Sequence, residues 1–261
     1  MARDGLRDGV GRLLVAVADV TLFAARVIRE SFRRPFEIQE TLRQLYELGW
    51  RSTPLIAAAG LAVGVVLSLH TRASLERFGA EALVPAGLGM ALIRETGPLT
   101  AGLLLSGRIG AGIGAQLAAM KVTEQIDALE AQAVDSFKYL VVTRTLACVI
   151  AFPILTTIMN FSGIFGAFLA ERAVTGMSLG LYLERAFSLI DFSVYIPATL
   201  KTMVFGFIIA VTASYMGINA RGGTEGVGRA STQSVVFASI LLIAVNVLLV
   251  RLILLIFPEG S

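Results

Sequence analysis

Histidine and cysteine occur once each in 261 residues, as His70 and Cys148. One thiol closes no disulfide within the chain and supplies no cysteine cluster for a metal, so a disulfide-stapled fold and a cysteine metal centre are both excluded. An imidazole without partners builds neither a catalytic relay nor a metal site, and no His-Glu-x-x-His is present, which leaves an intramembrane enzyme without its parts. We therefore expect no catalytic residue, no metal, no cofactor and no nucleic-acid partner. Charge is scarce too: 16% of residues are charged against 56% hydrophobic, with mean hydropathy +0.77. The glycine-rich "GGTEGVGR" lacks the Lys-Ser or Lys-Thr that ends a phosphate-binding loop, so this chain does not bind ATP by that route. Neither a repeat of about 20 to 50 residues nor a pair of broken spans is present, which argues against a secondary transporter or channel.

What the chain does contain is apolar length. Residues 52–71, 145–170, 202–220 and 230–250 hold no Asp, Glu, Lys or Arg, and each approaches or exceeds the ~20 residues that cross a bilayer core. A fifth stretch, about 88–118, is interrupted by Arg94, Glu95 and Arg108 yet is too apolar for a loop. The pattern predicts an all-α polytopic membrane protein of about five transmembrane helices. Residues 1–53 are expected to form cytoplasmic or interfacial amphipathic helices and 54–258 the transmembrane domain. Between Arg12 and Arg34 the charges recur every seven residues, while Leu13, Val17, Val20, Ala24 and Val27 or Ile28 mark an apolar helix face. Such a helix lies against anionic headgroups or packs on the rest of the protein. Nine arginines before the first span place the N-terminus in the cytoplasm and, after five crossings, the C-terminus outside. The later loops do not discriminate, with five basic residues on either side.

Three motifs stand out. "GAGIGA" at 110–115 fits a loose dinucleotide pattern but lacks the preceding strand, and Gly102, Ser106, Gly110, Gly114 and Ala118, flanked by Gly107, instead form a small-residue face for close helix packing. "IRETGP" at 93–98 puts Arg94 and Glu95 inside a span beside Pro98. Charges there serve function or pair between spans; Arg94 and Arg108, on nearly one face, suit a lipid phosphate, and Lys201 at the start of the fourth span shares the ambiguity. "KVTEQIDALEAQAV" reads as a short amphipathic helix, about 121–133, with Val122, Ile126, Leu129 and Ala133 as its stripe and Glu124, Asp127 and Glu130 beside it. Anionic leaflets repel such a helix, so its partner is expected to be protein.

The long "IRETGPLTAGLLLSGRIGAGIGAQLAAMKVTEQIDAL", with "QLYELGWRS" and "EGVGRASTQSVV", resembles the MlaE/YrbE-type permeases of bacterial lipid-transporting ABC systems that serve Mce-domain proteins. The resemblance implies a phospholipid permease of the inner membrane, working as a homodimer with a separate ATPase chain, an Mce-domain periplasmic protein and in some systems a small regulatory subunit on the ATPase. Sterols or other hydrophobic molecules are the alternative cargo. By resemblance "TEQIDAL" is the cytoplasmic coupling helix: Glu124, Gln125 and Asp127 dock on the ATPase, with Ile126 and Leu129 as apolar contact, while Arg94, Glu95 and Lys201 fall near the lipid cavity. The chain departs from the family pattern at Gln116, Asp135-Ser136 and Thr143-Arg144.

Overall fold

The computed structural model describes residues 18–256, and every regular element in that range is helical. Five helices are long and apolar enough to cross a membrane. We number the helices α1 (18–31), α2 (Ile38–Glu76), α3 (Glu81–Val122), α4 (Gln125–Ala131), α5 (Lys138–Thr175), α6 (Leu179–Phe187), α7 (Phe192–Ile218) and α8 (Gly223–Ile256); α2, α3, α5, α7 and α8 are the spans. The interrupted stretch containing Arg94, Glu95 and Arg108 lies within α3, so five expected spans become five helices.

The part of the N-terminal amphipathic helix before residue 18, including Arg12, Leu13 and Val17, lies outside the described residues. Its remainder, α1, turns Phe23, Ala24 and the fully buried Val27 onto Phe137, Val141, Val142 and Val211. Phe23 meets Phe137 and Tyr215 edge-on at 5.2 and 5.5 Å, and the Arg26 guanidinium lies 3.9 Å over the Phe137 ring. Leu22, Ile28 and Phe32 remain exposed on the other side. The helix thus packs on the body with one face and keeps a second apolar face open.

The hydrogen-bond register of α2 changes where Pro54 enters, a joint we call the bend of α2. Proline carries no N–H, so the carbonyl of Trp50 loses its ordinary donor. The Thr53 N–H takes it in a 3₁₀ turn, preceded by a π turn at Leu45–Gly49. Beyond the bend α2 lies directly on α5. A Cβ on Gly64 would strike the Gly163 carbonyl, and one on Gly166 would strike that of Leu61, so bare backbones make this crossing. Without water to drive association, close backbone approach is what holds such helices together.

The main core collects Leu105, Ile109 and Leu117 of α3, Phe152 and Leu155 of α5, Phe205 and Ile209 of α7 and Leu242 of α8. A second cluster, Val84, Leu88, Phe168 and Tyr182 among them, closes the opposite end beneath α6. There Glu171, only 1% exposed on its side chain, accepts from Arg72 at 2.7 Å and from Ser68 at 3.3 Å. Burial pushes the pKa of the neighbouring Tyr182 phenol up, and it stays neutral.

Candidate functional site

The polar centre of the bundle follows from one proline. Pro98 has no N–H, which removes the donor for the carbonyl four residues earlier, that of Arg94. The backbone around it widens into a π turn at Leu92–Thr96. Lys201 of α7 supplies the missing donor: its Nζ lies 2.9 Å from the Arg94 carbonyl and 2.7 Å from Glu95 Oε1. Asn246 of α8 donates from Nδ2 to Glu95 Oε2 at 3.3 Å. One carboxylate is therefore held from two other spans, on one oxygen each. At 1.5 Å per residue, Glu95, Lys201 and Asn246 sit roughly 21, 14 and 15 Å from the helix ends at Glu81, Phe192 and Ile256, so all three lie well inside their spans.

Exposure divides this cluster. The Lys201 side chain is 2% exposed and that of Glu95 39%. The lysine is a buried strut, whereas the carboxylate keeps an open side. Below it, Gly97 lets α5 approach: a Cβ there would collide with Asn160 Oδ1. Both amide atoms of Asn160, together with Thr156 Oγ1 and Asn246 Oδ1, find no hydrogen-bond partner among the described residues. The structure thus joins Arg94, Glu95 and Lys201 in one place. Sequence reasoning missed Asn246, although an amide inside the otherwise apolar run 240–250 was the available signal.

Arg108 does not join them. It lies in a second π turn, Ser106–Gly110, and its guanidinium holds the bend of α2, donating to Ser52 Oγ at 3.1 Å and to the Arg51 carbonyl at 2.8 Å. The two π turns that contain Arg94 and Arg108 add residues to the helix, so the 100° count that put them on one face does not carry from one to the other.

The small-residue face of α3 is split. Gly110 lies against Ile209, with 3.3 Å from a built Cβ to Cγ2, and Gly114 against Ser234 and Ala230. Ser106 bonds the Val235 carbonyl and Ser239. Gly107 points the other way, with nothing within 4 Å of its Cβ position. Of the three packing glycines expected, Gly110 and Gly114 meet other helices of this chain, and Gly107 faces open space.

Helix α4 forms where the acidic motif stands and is shorter than expected, Gln125–Ala131. Glu124 precedes it in the left-handed region (φ 58°), and Ala133 follows at φ 61°, so the chain turns sharply at both ends. Glu124, Gln125 and Asp127 are exposed. Ile126 is not: at 5% exposure it is part of the chain's own core, and Leu129 packs partly against the same cluster. Ile126 anchors the seven-residue helix to the body and also lines the groove beside it. Lys121 pairs with Asp127 at 2.9 Å. A groove of about 620 Å³ opens beside α4, and Arg26, Lys121, Asp127, Glu130 and Asp135 are among its lining residues.

Five apolar helices with an ion pair locked between two of them define a multi-pass membrane protein built around a polar centre. The chain belongs to the permease MlaE family, whose model matches residues 41–252. It is 36% identical over 237 residues to a probable ABC transporter permease protein of Rickettsia felis, covering 91% of this chain and 92% of the relative. It is 31% identical over 234 residues to the intermembrane phospholipid transport system permease protein MlaE of Haemophilus influenzae, covering 89% and 88%. The chloroplastic protein trigalactosyldiacylglycerol 1 of Arabidopsis thaliana is 28% identical over 219 residues, covering 84% of this chain and 63% of that protein.

Proposed function

We propose that this chain is the membrane subunit of an ATP-driven transporter that moves phospholipid between the inner membrane and an Mce-domain carrier. The polar centre around Arg94, Glu95 and Lys201 is its lipid site, and the observation that carries this is the Glu95 side chain, its carboxylate held from two spans while 39% of the side chain stays exposed. A charge kept at that depth costs at least ~2.5 kcal/mol on insertion scales, which favours a use for it. ATP hydrolysis belongs to a separate chain that docks on the exposed Glu124, Gln125 and Asp127 of α4, at the cytoplasmic end. The working unit is a homodimer, with the Mce-domain protein at the opposite end, the N-terminus cytoplasmic, the C-terminus periplasmic, and in some assemblies a small regulatory subunit on the ATPase. Residues 54–258 form the permease domain and the preceding segment its interfacial collar.

The test is photocrosslinking of labelled phospholipid from probes at positions 94 and 95 in the assembled complex. Labelling there supports the reading. Unlabelled probes at 94 and 95, with strong labelling from the outward-facing Phe161 and Phe165 of α5, would make the ion pair purely structural.

A further inference from the structure

We infer that the open side of Glu95 selects phospholipids whose headgroup carries an N–H or O–H donor. The inference rests on the lipid-site reading above. An ionised carboxylate has two oxygens and about four lone-pair sites, and it accepts only. The chain supplies Glu95 with one side-chain donor per oxygen, Lys201 Nζ on Oε1 at 2.7 Å and Asn246 Nδ2 on Oε2 at 3.3 Å. Those two donors come from α7 and α8 and fix the carboxylate plane, while 39% of the side chain stays uncovered. In an apolar slab an uncovered carboxylate oxygen is costly unless a donor meets it.

A primary ammonium or a glycerol hydroxyl at the end of a headgroup meets it. A trimethylammonium brings positive charge but no N–H, and its methyl groups keep that charge away from the oxygens. Asn246 is here a positioning residue: it acts on the headgroup only by holding Glu95.

Stepwise methylation of the ethanolamine nitrogen separates hydrogen bonding from size. The assembled complex is purified in nanodiscs that hold equal mole fractions of four lipids with matched acyl chains: phosphatidylethanolamine, its N-methyl and N,N-dimethyl forms, and phosphatidylcholine. Retained lipid is counted by mass spectrometry. The first three carry at least one N–H and the last none, so retention is expected to fall by about tenfold at the third methylation, the loss of one charge-assisted hydrogen bond. In Glu95→Gln, whose neutral amide accepts a hydrogen bond without charge assistance, that break is expected to shrink while phospholipid is still retained. An even decline across the three methylations, no decline in the parent, or a break undiminished in Glu95→Gln would each overturn the inference. If Glu95→Gln does not assemble, the parent series alone decides. Retention of none of the four sinks the lipid site and the inference together; equal retention of all four sinks the inference alone.

Discussion

At Lys201 one ammonium does two tasks that usually fall to different groups. It neutralises Glu95 and replaces the helical donor that Pro98 removed from the Arg94 carbonyl. Lys201→Met leaves the carboxylate with the Asn246 amide and takes the ammonium away from the Arg94 carbonyl. We expect a loss of about 2 kcal/mol, below the full cost of breaking a buried pair because Glu95 is partly open. Adding Glu95→Gln should restore part of it, since the unpaired charge is then gone. Thermal midpoints of the purified single and double variants form the cycle that tests this, and a purely additive result would show no coupling. Glu171 presents the closed counterpart, 1% exposed beneath Arg72 and Ser68. Glu171→Ala is expected to cost about 3 to 5 kcal/mol, with Glu171→Gln milder because an amide still accepts a hydrogen bond. Equal midpoints for Glu171→Ala and the parent would refute that.

Helix crossings here depend on which glycine faces which neighbour. Gly64 lies against the Gly163 carbonyl, backbone on backbone, so even a methyl cannot be accommodated by a side chain turning away. Gly64→Ala is expected to separate α2 from α5 and to lower stability by about 1 to 3 kcal/mol, the usual range for overpacking. Gly107, with open space beside it, should accept alanine with a midpoint within about a degree of the parent. The reverse order of effects in a melting experiment would mean that the α2–α5 crossing is placed wrongly. A similar contrast runs through α4, where Ile126 is buried and its neighbours Gln125 and Asp127 are exposed. The element is attached to the body through Ile126, with Leu129 beside it, and offers polar groups outward.

For the whole molecule the question is how that outward surface meets a second chain. Glu124→Lys with Asp127→Lys reverses two exposed charges and gives up one surface pair, Lys121–Asp127, worth ~0 to 1 kcal/mol. We expect the variant to insert and fold as the parent does while capturing much less ATPase in a pull-down from membranes. Undiminished capture would remove α4 from the docking surface. Ile126→Asp should instead lower stability, because it drives a charge into the core that holds α4 in place. Fluorescence-detected size exclusion of the two variants separates a lost partner from a lost fold.

Spans, their number and the position of the acidic helix were legible from local composition alone. The reason is that a bilayer imposes length and apolarity on each segment separately, without regard to its neighbours. Local pattern also marked Arg94, Glu95 and Lys201 as charges out of place, and the family's motif in α3 is contiguous, so membership was readable too. Partners are another matter, because they depend on which helices lie side by side. Pairing of Glu95 with Lys201 and Asn246 joins residues more than a hundred positions apart. Assignment of Arg108 to the bend of α2 required the two π turns, which no 3.6-residue count anticipates. The inward turn of Ile126 and the outward turn of Gly107 were settled by packing of the body, since an apolar stripe or a small-residue face says that something approaches closely but not from which side. Sequence alone determined that this chain spans a membrane five times and carries charge inside it. Tertiary structure decided how that charge is held and which part of it stays open.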